Sequence, residues 1–189
     1  MERSTMKNNA ALSFLIGALV ALLVPIVILA TGIIDLGADV KPGLVERTLA
    51  PWALDRSVEK RAPKQKNPYA DDPVAIAAGF DHYRENCVIC HGAPGVAGAE
   101  LSKGLNPPAP ALGKGNDTPD GELFWVIKHG IRMSPMPAFG PTHSDEEIWR
   151  IVAFVRHLPN LTSQERDALR QATGEEAHHH GEGAEVSPN

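Results

Sequence analysis

The string Cys87-Val88-Ile89-Cys90-His91 contains both cysteines of the chain. Two thiols three residues apart, followed at once by an imidazole, constrain a fold tightly, because all three must address one object. The spacing CxxCH reads as a haem attachment site. The two sulfurs can take the two vinyl groups as thioethers, and His91 can offer a ring nitrogen to the iron. A single string of this kind predicts one covalent haem. Two other chemistries use CxxC. A redox dithiol prefers a βαβ context, and none is visible around Cys87. Four-ligand zinc needs two more ligands at close spacing, but there is no third cysteine and the other histidines are scattered.

A second axial ligand, methionine or histidine, is expected downstream, because ligand identity helps set the iron potential. Of the four methionines, Met1 and Met6 precede a long apolar segment. Met133 and Met136 stand in Gly130-Ile131-Arg132-Met133-Ser134-Pro135-Met136-Pro137-Ala138-Phe139-Gly140. Proline-rich sequence bounded by glycine predicts a loop. Met136 lies between two prolines that fix the chain on both sides, and it is the expected ligand. Met133 is expected to pack inside the pocket, the usual use of a soft unbranched side chain. His129 and His143 are the alternatives, and each reads more simply as a surface or capping residue.

Residues Ala10 to Ile34 carry no charge and are mostly Ala, Leu, Ile and Val. As helix they span roughly 37 Å, enough to cross a bilayer. Pro25 and Gly17 are tolerated inside such a helix. Arg3 and Lys7 precede it, and Asp35 and Asp39 come after it, so the positive-inside rule puts the N-terminus in the cytoplasm. The competing reading is a cleaved signal peptide, whose apolar region is typically about 7–15 residues. Leu29-Ala30-Thr31-Gly32 offers no clean A-x-A site. Both readings export the haem-binding part of the chain.

Beyond the apolar segment the chain is charged and contains Pro42, Pro51, Pro63 and Pro68. This stretch reads either as a partly ordered tether or as a short amphipathic helix within Leu44–Ala62. In the helical reading Trp52 faces a membrane interface or a partner subunit. A helix is then expected from Asp72-Pro73, with an N-cap and a proline in the first turn. It leads directly into Cys87, and Gly79 suits the close approach of another helix. From Gly92 to Asn116 the glycine and proline content predicts a loop. Leu101, Leu105 and Leu112 there are expected to touch the porphyrin. Asn106-Pro107-Pro108-Ala109-Pro110 can bring a backbone carbonyl to the His91 ring, which would fix its orientation; which residue does so stays open. Thr118-Pro119 and Gly130 bracket a middle helix. For Trp125 on it, a place near the haem and a plain core role both stand. Ser144-x-x-Glu147 and Thr162-x-x-Glu165 are capping boxes that open two more helices. His178-His179-His180, between Glu176 and Glu182, reads as a weak metal site or as a hydrophilic tail.

The strings Tyr83-Arg84-Glu85-Asn86-Cys87-Val88-Ile89-Cys90-His91-Gly92 and Gly130–Phe139, the proline run Pro107–Pro110 and the Trp149 helix together resemble the class I cytochrome c domain. The resemblance is to its membrane-anchored monohaem bacterial form. It implies an all-α, class I cytochrome c fold around one covalent haem c, preceded by a single transmembrane helix. It implies that the first and last core helices cross, that Cys87 and Cys90 hold the haem, and that His91 and Met136 bind the iron. Pro107, Pro108 and Leu112 are the further expected haem contacts. The expected organisation is a cytoplasmic N-terminus at 1–9, a transmembrane anchor at 10–34 and a periplasmic connector at 35–71. The cytochrome c domain comes next at 72–173, with a disordered His-containing tail at 174–189.

Iron with two protein ligands has no open site for a substrate, so the expected work is one-electron transfer rather than catalysis. The expected partners are membrane-bound respiratory redox proteins or complex subunits, and the lipid bilayer through residues 10–34. The expected location is a bacterial inner membrane, with the haem domain on the periplasmic side. A net charge of −5 gives no support for nucleic-acid binding. A free shuttle and an integral subunit of a larger respiratory complex differ in stoichiometric co-purification. A haem enzyme or ligand sensor would need Met136 off the iron and would bind CO rapidly. A non-haem metal-binding module would lack covalent haem.

Overall fold

The computed structural model describes residues 2–113 and 117–174, with side chains from Leu12 onward. The histidine run of the tail, with its metal-site reading, lies outside the described residues. The chain divides into two compact units, Met1–Val40 and Lys41–Asn189.

The first unit is built on helix α1, Glu2–Ala30. Its stretch Leu12–Ala30 is long and apolar enough to cross a membrane. The helix stops at Ala30, short of Ile34. The Thr31 hydroxyl donates back to the Ile28 carbonyl (2.8 Å), and the chain then turns.

The second unit is helical. Its only β element among the described residues is an isolated bridge between Ala93 and Val96. Its helices are α2 Leu44–Arg61, α3 Pro73–Asn86, α4 Val88–His91, α5 Asp120–His129, α6 Asp145–His157 and α7 Ser163–Thr173, with 3-10 turns at Glu100–Gly104 and Leu158–Asn160. The starts obey local chemistry. Asp72 Oδ1 accepts from the Val74 N–H (2.9 Å), and Pro73 fills the first helical position. Both capping boxes close reciprocally. Ser144 N–H donates to Glu147 Oε2 (2.7 Å) and Thr162 N–H to Glu165 Oε2 (2.8 Å), while each hydroxyl accepts from the glutamate's backbone N–H. Removing such a cap typically costs ~1 kcal/mol.

The core is the crossing of α3 over α6. At Gly79 the helices are so close that a Cβ would lie 2.1 Å from the Arg150 carbonyl oxygen and 2.9 Å from Phe154 Cβ. Phe154 is wedged edge-on to Phe80 (5.4 Å between centroids) and tilted against Tyr83 (5.3 Å). Tyr83 is 0 % exposed, as are Ile148, Val152 and Leu158 around it. Helix α5 joins through Phe124, stacked on Trp149 at 4.3 Å.

Gly79→Ala should therefore lower stability by about 3 kcal/mol, the upper range for overpacking. The added methyl meets backbone, which cannot rotate away. The check is a denaturant midpoint that falls at constant m-value; an unmoved midpoint would show that α3 and α6 are free to separate.

Candidate functional site

The CxxCH string is a single tight helical turn. Cys87 ends α3 and precedes α4, and its carbonyl accepts from the N–H groups of Cys90 (3.1 Å) and His91 (2.9 Å). Gly92 comes next at φ +60, ψ −157, a backbone region essentially reserved for glycine. Tyr83, one helical turn before Cys87, donates its buried hydroxyl to the Gly92 carbonyl (2.6 Å). That bond ties the end of the motif to the helix that delivers it. Burial pushes the Tyr83 hydroxyl far above its ordinary value, so it stays a donor. Burial, and then the neighbouring Cys90, push the Cys87 thiol up to about 12. A reactive thiol depends on a lowered pKa, and the shift at Cys87 runs the other way. Among the described residues no group of three or more His, Cys, Asp and Glu side chains is placed to hold a metal ion.

His91 Nδ1 lies 2.8 Å from the Pro110 carbonyl oxygen. A carbonyl only accepts, so Nδ1 carries the proton and Nε2 keeps its lone pair. The residue of the proline run that the sequence left open is thus Pro110.

The methionine loop is built by backbone bonds. Gly130 closes α5 at φ +63, ψ −171, the same glycine-only region as Gly92. A Cβ there would lie 2.6 Å from the Pro137 carbonyl carbon. The Met136 carbonyl accepts from the Ile131 N–H (3.1 Å), and its own N–H donates to the Ser134 hydroxyl (3.2 Å). Phe139 N–H then returns to the Ile127 carbonyl (3.1 Å). Met136 is held at both ends of its residue and is half-buried.

These segments enclose one cavity of about 720 Å³, within the usual range of about 300–1,000 Å³ for cofactor pockets. Cys87, Cys90, His91, Pro107, Pro108, Leu112 and Met136 all line it. Two thiols, an imidazole with a free Nε2 and a thioether on one mainly apolar space form a donor set that fits haem c.

Two expectations, on Met133 and Leu101, need correction. Met133 does not pack in the pocket; it sits at the loop tip at φ +59 and is 93 % exposed. Its neighbour Ser134 turns the chain by bonding to the Ile131 carbonyl, and the turn throws Met133 outward. Leu101 is 70 % exposed on a 3-10 turn, away from the cavity, whereas Leu105 and Leu112 line it. Trp125 packs beside His129 (4.9 Å) and His143 lies between His82 and Phe139; none of the three lines the cavity. Sequence reasoning missed Leu54, Asp55 and Val58 of α2, which do line it. Val58 and Leu54 are spaced i, i+4, which was a usable signal, but nothing local said what that face meets.

The position of α2 is fixed beyond its end. Asn67 N–H donates to Asp120 Oδ2 (3.0 Å), and the Asn67 amide donates to the Trp149 carbonyl (2.9 Å). Arg156 Nε donates to Asp120 Oδ1 (2.8 Å), and Arg156 also reaches the Thr118 carbonyl. Burial alone would raise the Asp120 carboxyl. The Asn67 amide, the Arg156 bond and charge, and Lys66 outweigh it and hold the carboxyl below its ordinary value.

Residues 74–155 match the family model described as cytochrome c oxidase, cbb3-type, subunit III. No match was found among curated proteins. A solved structure, cytochrome cL from the marine methylotrophic bacterium Methylophaga aminisulfidivorans MPT, is 25% identical, with a TM-score of 0.39. The alignment covers 81% of this chain and 88% of that one. With a CxxCH turn and a methionine loop on one cavity of a helical domain, the fold and site define a cytochrome c. Residues 74–155 thus form a class I cytochrome c domain, and an apolar helix precedes it in the chain.

The Asp120 shift has a pH consequence. A carboxyl held below its ordinary value of 3.8 stabilises the fold fully above that pH and loses the effect as pH falls through the depressed value. Asp120→Asn should be less stable than the parent at neutral pH, and its stability should fall less steeply below about pH 4. Glu147 and Glu165, also held low by their caps, act alike in both proteins. Parallel acid limbs in thermal melts from pH 2 to 7 would refute this reading of Asp120.

Proposed function

We propose that this chain is a membrane-tethered one-electron carrier with one haem c attached through Cys87 and Cys90. It would work between respiratory redox partners on the periplasmic side of a bacterial inner membrane. Electron transfer itself belongs to the cytochrome c class. The finer reading is carried by one observation: both thiols, His91 and Met136 face the same cavity.

Bound haem c supplies the one-electron couple. His91 would hold the iron through Nε2, and the Pro110 carbonyl fixes the ring and strengthens its donation. Met136 would also hold the iron, through its sulfur, its backbone already tied to Ile131 and Ser134. Pro107, Pro108 and Leu112 would pack on the porphyrin and keep water from it. Iron held by both His91 and Met136 would keep no open site for a substrate, which supports a carrier rather than an enzyme. The tether rests on Leu12–Ala30, and the orientation on Arg3 and Lys7 before it and Asp35 and Asp39 after it.

A second reading is a fixed subunit of a larger membrane redox complex. It is favoured by the family model, described as a subunit of an oxidase. It is also favoured by the exposed Leu44, Val45, Leu49 and Trp52 on α2, apolar surface of the kind that marks interaction sites.

Met136→Ala should abolish the long-wavelength methionine–iron absorption band, and Met133→Ala should keep it. Equal loss of the band in both variants would refute the ligand assignment. Purification in mild detergent from native membranes, with haem-stained gels, separates the two functional readings. A lone haem-stained band of the chain's 20.3 kDa supports the tethered carrier, whereas stoichiometric redox subunits alongside it support the fixed subunit.

A further inference from the structure

Helix α2 stands between the apolar anchor and the CxxCH domain, where a linker would serve. Its geometry is not that of a linker. Leu54, Asp55 and Val58 share one face of the helix, and they line the same cavity as Cys87, His91 and Met136. Val58 is 6 % exposed and Leu54 is half-buried, while Asp55 lies at the solvent rim. The helix packs on α5, whose Leu123, Val126 and Ile127 line the cavity beside it.

The end of α2 is clamped. Ala62, just past the helix, is buried, and its N–H closes on the Val58 carbonyl (2.8 Å). Lys64 Nζ folds back to the Glu59 carbonyl (2.7 Å). Pro63 then lies directly on the first turn of α5. A Cβ at Gly121 would fall 1.7 Å from the Pro63 carbonyl oxygen, so only glycine allows the contact. Four residues on, the bonds of Asn67 to Asp120 and to the Trp149 carbonyl lock the segment to α5 and α6. Two independent attachments therefore hold the helix against the cavity.

We propose that α2 is a wall of the haem cavity, clamped through Gly121 and Pro63, that excludes water from the haem and raises its reduction potential. This rests on the haem reading of the cavity. An apolar shell limits solvent access and lowers the local dielectric, and both are levers on redox potential. The ferric state carries one more positive charge than the ferrous state and gains more from water. Opening the wall therefore favours the ferric form.

The test uses the full chain in mild detergent. Leu54→Ser and Val58→Ser place a hydroxyl on the wall, Gly121→Ala displaces the Pro63 segment, and Val58→Ile keeps the wall apolar. Covalent haem is read by intact mass, the axial ligands by the methionine–iron band, and the ferric/ferrous equilibrium by redox titration. With haem and band retained, the two serine variants and Gly121→Ala should shift the equilibrium about tenfold toward ferric, ~59 mV lower. Val58→Ile should stay with the parent. Should Gly121→Ala fail to fold, Leu54→Ser still decides, because its side chain is only half-buried. Loaded serine variants with the parent's potential would overturn the proposal. A parent chain without covalent haem would overturn the haem reading itself, and the intact mass shows which of the two has failed.

Discussion

The contact of α3 with α6 through Gly79 sets the rest of the site. The Arg150 carbonyl occupies the space a Cβ at residue 79 would need, so α3 meets α6 at a glycine. The crossing fixes Phe154 between Phe80 and Tyr83, and Tyr83 in turn reaches the Gly92 carbonyl. Two energies of different kinds act here. Truncating a buried phenylalanine typically costs about 3–5 kcal/mol, whereas the Tyr83 hydrogen bond contributes ~1 kcal/mol net. Packing therefore decides that the helices cross, and the hydrogen bond decides where the CxxCH turn stops. The same α6 presents Val155 to the cavity and the Trp149 carbonyl to Asn67, so one crossing locates two sides of the pocket.

The His91 and Met136 sides of the cavity are built differently. On the His91 side, a side chain is oriented by a carbonyl from a proline run. On the Met136 side the backbone is held on both its N–H and its carbonyl, and Gly130 admits the loop against α5. Both arrangements tie the side chain's position to hydrogen bonds within the chain. For the proposed carrier this matters, because ligands fixed in advance move little when the iron changes charge.

The features legible in the sequence were local. Both capping boxes, the Asp72-Pro73 start and the Gly130 stop involve residues within a few positions of one another, and they form as the residue types dictate. The CxxCH turn and the methionine loop were legible for the same reason, and their meeting on one cavity was implied by a family likeness. Met133 and Leu101 went astray because an apolar side chain in an irregular loop has no period to say which way it faces. Only the bonds around Ser134 turn Met133 outward. Among the proline-run carbonyls, the choice of Pro110 depends on the path of a loop that reaches His91 from 19 residues away. The role of α2 was hidden for a stronger reason. Its anchoring contacts span 53 residues to Asp120 and 82 to Trp149, and no local pattern encodes them.

Those long-range bonds also bear on where the cytochrome unit begins. A start at Asp72, where the first core helix is capped, would look natural from the caps alone. It would remove Asn67, taking one donor from the Trp149 carbonyl and one of the groups that hold the Asp120 carboxylate. A hydrogen bond typically contributes about 0.5–1.5 kcal/mol net, and one to a charged group about 1.5–3 kcal/mol, a sizeable share of the roughly 5–15 kcal/mol that typically holds a domain folded. It would also uncover the α5 surface on which Val58 and Ala62 are buried. The segment before α3 is thus held by the same two helices that wall the cavity. The compact unit that contains these contacts begins at Lys41, just before α2.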